Sequence, residues 1–294
     1  MADTSLQRIV KADLQNYLKI RSDMSKINFH ELMDRTSDVL GPGGVLGITT
    51  FHDLRYEHAL RQCKKKGLDP VNLGNAFYVP SHDILVVKCQ RIMTQQGDLD
   101  VIGVRENHHL PERLSLEDTL KAVEDEGALC DVPAPFHKRG LGPFLQQHPH
   151  YLARIQAITV YSGEGDFWIP CLLPRGYTRS PNDLALDFYK TSKREYSHLG
   201  ALTASNGSLV RHIGTNYSMI RMPEYYGDLH GPEDVVSALR ATFPETSLLP
   251  SQRRSLRLGA LRHQFVVLAD HNPLSYALKG VPNAHLDRLF TKKE

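Results

Sequence analysis

The chain has 294 residues, 41% of them hydrophobic and 23% charged, with a formal net charge of +2. That length suits one large domain with a buried core, and the composition is ordinary for a globular protein. The charge is too small to argue for nucleic acid by itself. No apolar run reaches the roughly 18 residues a membrane span needs. The opening MADTSLQRIVKADLQ lacks the apolar stretch of a signal peptide. Cys63, Cys89, Cys130 and Cys171 are far apart, with no Cys-x-x-Cys pair. Reduced thiols in a cytoplasmic setting are expected, not a disulfide framework or a zinc cage.

Taken in chain order, short apolar runs alternate with amphipathic ones. Strands are predicted at 8–14, 44–49, 84–89, 99–104, 128–132, 155–161, 200–204 and 264–269, the pattern of parallel β/α units. Ser115 is placed to cap a helix whose Leu116, Leu120 and Val123 share one face, and Gly127 to end it. Ser180-Pro181-Asn182-Asp183 opens another helix. Gly231-Pro232-Glu233-Asp234 opens a third, with proline in the first turn and acids complementing the helix dipole. Near the C-terminus, Arg253, Arg254, Arg257 and Arg262 alternate with Leu256, Leu258 and Leu261. This amphipathic segment either docks on its own domain or contacts a partner or nucleic acid. Trp168 is either a core residue or an interface anchor. Nothing reads as a linker or repeat, so 1–294 is expected to form one α/β barrel, with 230–294 completing it or packing on it.

Several strand ends carry recurring polar signatures. The first predicted strand closes on Asp13-Leu14-Gln15-Asn16-Tyr17, the second on Gly47-Ile48-Thr49-Thr50-Phe51, with His52-Asp53 directly after. Arg91 follows the third, and Gly97-Asp98 lies six residues on. Later come Ala134-Pro135, Ser162-Gly163, and Ser205-Asn206-Gly207-Ser208 with Ile213-Gly214 beyond. In this order the segments resemble the motifs of the polymerase-and-histidinol-phosphatase (PHP) family of phosphoesterases. There, the counterparts are Asp-Leu-His-x-His, Thr-Asp-His, a glutamate, Gly-His, His-Pro, Asn-Gly and Ser-Asp-x-His. The resemblance covers 9–220 and implies an α/β fold, a distorted (β/α)7 TIM-like barrel of PHP type.

The resemblance also implies that the metal ligands have been substituted. Zinc, manganese and iron sites need imidazoles and carboxylates converging from several strand ends. Ala134 has no lone pair, and Tyr17 is a protonated phenol at neutral pH. Gln15 and Asn206 are neutral amides, Ser208 replaces an imidazole, and Arg91 places a fixed positive charge where cations would sit. A degenerate pocket of Asp13, Gln15, Tyr17, Thr50, Phe51, Arg91, Asp98, Ala134, Asn206 and Ser208 is therefore expected. Only Asp98, the displaced pair His52-Asp53, and His137 beside the mouth could still ligate, too few for a multinuclear centre. The other histidines, among them His82, His108, His148 and His150, read as surface or capping residues.

Arg91 admits two roles. It pairs with Asp98 or Asp13 to neutralise an acidic ring, or it joins Gln15, Tyr17, Asn206 and Ser208 in holding an anion such as phosphate. The leading expectation is a catalytically inactive PHP-like protein without a cofactor, working as a binding or structural module through a protein partner or self-assembly, with no membrane. The alternatives are a phosphoesterase using zinc or manganese on a rearranged ligand set, and a nucleic-acid-binding accessory protein.

Overall fold

A computed structural model of the chain describes residues 7–18, 29–51, 53–163, 180–207 and 210–248. The expected strand at 264–269, the arginine-rich 253–262 and Trp168 lie outside the described residues. The elements run β1 (Gln7–Asn16), α1 (Phe29–Leu40), β2 (Val45–Thr50), α2 (Arg55–Lys65), β3 (Val71–Asn72), β4 (Ala76–Val79), β5 (Ile84–Met93) and β6 (Asp98–Ile102). They continue through α3 (Leu116–Glu126), β7 (Leu129–Val132), α4 (Gly142–Gln147), β8 (Ala157–Ser162), α5 (Pro181–Glu195), β9 (Gly200–Ala204), β10 (Ser218–Pro223) and α6 (Pro232–Thr242).

The helix signals in the sequence act as expected. Ser115 Oγ accepts from the Asp118 amide at 3.1 Å, Ser180 Oγ does the same for Asp183 at 3.1 Å, and Gly127 ends α3 at φ +74°. An L side chain at that φ would be strained.

Neighbouring strands follow the order β10-β1-β2-β5-β6-β7-β8-β9, with β3 and β4 branching from β5. Strands β1, β2 and β5 run parallel, as do β7, β8 and β9. The distortion of the barrel lies in two reversed strands. β6 is antiparallel to both β5 and β7, and β10 is antiparallel to β1. The regular β/α alternation expected from sequence therefore breaks after β5. A tight turn intervenes instead of a helix: Thr94 N and Oγ1 both donate to Gly97 O, at 2.9 and 2.8 Å. β10 was absent from the expected strands, although Ile220 and Met222 alternate on its buried face.

Side-chain alternation builds two layers. Val10, Ala12, Val45, Leu85, Val87, Leu129, Ala157 and Leu202 fill the barrel interior, where Val235, Val236 and Leu239 of α6 pack against them. The opposite faces of β2 and β5 carry Leu46, Ile48 and Val86 beneath α1 and α2. Leu99, Val101, Cys130, Val132, Ile158 and Val160 lie beneath α3, α4 and α5.

Closure is made by hydroxyls. Among the described residues no ladder joins β9 to β10. Instead Ser218 Oγ accepts from Thr203 N at 2.7 Å, Thr242 Oγ1 from Arg221 N at 2.7 Å, and Thr246 Oγ1 from Ala201 N at 2.8 Å. Higher up, a parallel bridge pairs Asn16 with Gly207. Replacing Thr246 with valine keeps the shape but leaves the Ala201 amide without its acceptor. Urea denaturation is expected to show a loss of about 1–2 kcal/mol, with faster hydrogen exchange at Ala201.

Candidate functional site

The strand ends that host active sites in α/β barrels here carry a polar cluster. β1 reaches it through an irregularity: its register with β2 shifts between Asp13 and Asn16. Gly47 permits this, because a Cβ there would lie 2.3 Å from the Leu14 carbonyl oxygen. Gln15 then crosses the lumen, and its Nε2 donates to Asp131 Oδ2 at 2.6 Å and Thr159 Oγ1 at 2.8 Å. Thr159 Oγ1 in turn donates to Asp131 Oδ2 at 2.7 Å.

Arg91 lies beside this group. Its Nε donates to Asp100 Oδ1 at 2.7 Å and its Nη2 to Asp100 Oδ2 at 2.8 Å, a bidentate pair in which the Asp100 side chain is 2% exposed. The guanidinium also covers the Tyr17 ring at 4.8 Å, a cation–π contact. Tyr17 stacks on Phe51 at 5.3 Å, and Arg55 sits over Phe51 at 5.7 Å. Arg55 donates to the Tyr17 carbonyl and pairs with Asp53 at 2.7 Å. Asp98 accepts from Arg139 Nε at 2.9 Å. Thus Asp53, Asp98 and Asp100 each hold an arginine, whereas Asp131 is held by neutral donors.

The electrostatics follow from that division. Burial pulls the Arg91 pKa down, but Asp100, Tyr17 and Asp98 hold it above the ordinary arginine value. Burial lifts Asp98 despite Arg91 and Arg139. Asp131 is pushed up to about 7 by burial and by Asp100, against the opposing effects of Thr159, Arg91 and Gln15.

Other residues of the expected pocket have different employment. Asp13 Oδ1 accepts from Ser205 N at 3.0 Å and Oδ2 from Gly214 N at 2.8 Å, so it ties β1 to the turns beyond β9. Burial raises it to about 6 against those hydrogen bonds. Thr50 Oγ1 donates to the Cys89 carbonyl at 3.1 Å. Ala134 sits at φ +39° in the loop after β7, and its carbonyl accepts from the amide of half-buried His137 at 2.9 Å. Asn206 is buried at φ +53°, a conformation asparagine tolerates better than most residues. His52 and Ser208 lie outside the described residues.

One expectation requires correction. Arg91 pairs with neither Asp98 nor Asp13. In the antiparallel register Arg91 stands opposite Asp100, whereas Asp98 stands opposite Met93, and Asp13 is engaged by backbone amides. Asp100, Asp131 and Thr159 were missed altogether. The signal for the first was present, since Asp98 and Asp100 share one strand face by alternation.

The donor set does not fit the metal centre that the PHP resemblance implies. The described residues include no group of three or more His, Cys, Asp or Glu able to hold a metal ion, and the central carboxylate is occupied by a guanidinium. Replacing Arg91 with methionine leaves Asp100 buried and uncompensated, at an expected cost of about 3–5 kcal/mol in thermal or urea unfolding. Adding Asp100→Leu to Arg91→Met is expected to restore much of that loss, which a double-mutant cycle measures.

No family model matches the chain, and no curated protein matches it significantly in sequence. Among solved structures it is similar to PsfC from Pseudomonas syringae PB-5123, at 12% identity and a TM-score of 0.53, over 92% of this chain and 99% of that one. It is also similar to the lesion-specific endonuclease PfuEndoQ from Pyrococcus furiosus, at 9% identity and a TM-score of 0.49, over 83% and 57% of the two chains. A third is a two-domain protein from Bacteroides vulgatus ATCC 8482 containing a predicted PHP-like metal-dependent phosphoesterase, at 11% identity and a TM-score of 0.47, over 78% and 63%. The chain thus spans nearly all of PsfC and less than two thirds of the other two. The likeness to PsfC is one of fold. The architecture is a distorted TIM-like α/β barrel, as the motif resemblance implies.

Proposed function

We propose that this chain is a PHP-like barrel without a catalytic metal centre, acting as a binding or structural module by self-assembly or by docking on another protein. One observation carries the reading. The Arg91 guanidinium, doubly bonded to Asp100 and lying over Tyr17, occupies the strand-end ring where a phosphoesterase of this fold would need cations. A fixed positive charge there repels a divalent ion and engages both oxygens of a carboxylate that would otherwise be open to it.

The other readings draw less support. A rearranged ligand set of His52, Asp53, Asp98 and His137 would have to recruit Asp53 and Asp98 away from Arg55 and Arg139. An anion pocket at Arg91 draws less support, because the Nε–Nη2 edge of that side chain already faces Asp100. A nucleic-acid role rests on 253–262, outside the described residues. No described helix is long and apolar enough to cross a membrane, and a cytoplasmic location is part of the proposal.

Elemental analysis of the purified protein tests it. Zinc, manganese and iron are expected far below one equivalent, with a thermal midpoint unchanged by EDTA and no hydrolysis of a generic phosphoester. One or more equivalents of tightly held metal, with hydrolysis lost on chelation, would overturn the reading.

A further inference from the structure

We propose that Asp131 is a proton-binding site built into the barrel mouth, so that the polar cluster is held together while this side chain is neutral and loosened when it ionises. The inference rests on the metal-free reading above.

Geometry carries it. Asp131 stands directly opposite Asp100 in the antiparallel pairing of β6 with β7, and facing carboxylates on adjacent strands destabilise each other. Both are essentially fully buried. The nearby cation, Arg91 on the far side of Asp100, directs its Nε and Nη2 at Asp100. Asp131 Oδ2 is satisfied by Gln15 and Thr159, which are neutral. Its Oδ1 is buried with no hydrogen-bond partner.

Among the described residues, the titratable or charged groups facing it are Asp100 on β6, with Asp98 two residues earlier on the same face, and Arg91 and Cys89 on β5. On its own strand Cys130 adjoins it. β1 and β8 offer Gln15 and Thr159. Burial raises both thiols, so neither adds charge at neutral pH. Two buried carboxylates therefore face each other while the one guanidinium beside them is bonded to Asp100 alone, and the arrangement is best satisfied when Asp131 holds a proton.

The direction of the pH effect follows. An unfolded aspartate titrates at about 3.9, whereas the folded Asp131 is raised to about 7. Over the interval between, the folded chain holds a proton that the unfolded chain has released. The stabilising contribution is complete below the unfolded value and is lost as pH rises through the folded one.

The test compares thermal midpoints of the full chain and its Asp131→Asn variant from about pH 5 to about pH 8, with and without EDTA. Asparagine keeps the shape and an acceptor for Gln15 and Thr159, and its amide nitrogen can point at Asp100. The natural chain is expected to lose several degrees as pH rises and the variant less, so that the curves diverge towards high pH. Asp13, raised to about 6, contributes the same slope to both. Parallel curves would overturn the proposal. If the variant does not fold, infrared spectra of the natural chain with labelled aspartate decide it. A protonated carboxyl band present at about pH 6, retained in an Asp13→Asn variant and lost by about pH 8 supports the site; full ionisation at about pH 6, or a band that disappears with Asp13, excludes it. A midpoint shifted by EDTA would instead overturn the metal-free reading on which the site depends.

Discussion

The bidentate contact between Arg91 and Asp100 is the constraint around which the upper half of this barrel is arranged. A buried ion pair is tolerable only where both partners are well placed and their remaining groups are satisfied. Register supplies the placement, since the two residues face each other across β5 and β6. The Tyr17 ring supplies a further surface, and Phe51 and Arg55 extend the contacts towards β2 and α2. The positive charge the mouth needs is covalently attached and cannot be exchanged with solvent.

The outer layer uses an ion pair of similar chemistry for another purpose. Lys88 lies three residues before Arg91, so strand alternation sends it to the opposite face. There its Nζ meets Glu57 Oε1 at 2.5 Å and donates to the carbonyls of Arg105 and His108. Glu57 Oε1 also accepts from the Asn107 amide. That pair anchors the segment between β6 and α3 against α2. One strand therefore carries two paired cations, of which part-buried Arg91 organises the mouth and fully buried Lys88 the connection behind it. The lower interior needs no such device, because it is apolar from Val10 to Leu202. Hydroxyls enter only at the β9–β10 seam, where backbone amides would otherwise lack acceptors.

Legibility in the sequence tracked the range of the interaction. Ser115, Ser180 and Gly127 act within one turn of themselves, and each was readable from its immediate neighbours. The parallel strands were readable from continuous apolar runs such as Ile84–Val87. The reversal at β6 was not, because a four-residue turn at Thr94–Gly97 and a helical crossover can follow the same kind of strand. β10 escaped because its alternation is short and blurred by Met219, an apolar residue on the face opposite Ile220 and Met222. At the mouth, Arg91 and Gln15 were singled out, yet Asp131 sits in the apolar run Ala128–Val132 and carries no local mark of its partners.

By itself the sequence determined which chemical groups stand at the strand ends: amides, a phenol, a methyl group and a guanidinium. Donor chemistry belongs to each side chain and needs no neighbours to be recognised. Only the tertiary structure decided which aspartate Arg91 would hold, and that Asp131 would be left with neutral donors. Those outcomes depend on strand direction and register, which bring together residues 15, 91, 100, 131 and 159 from five separate strands.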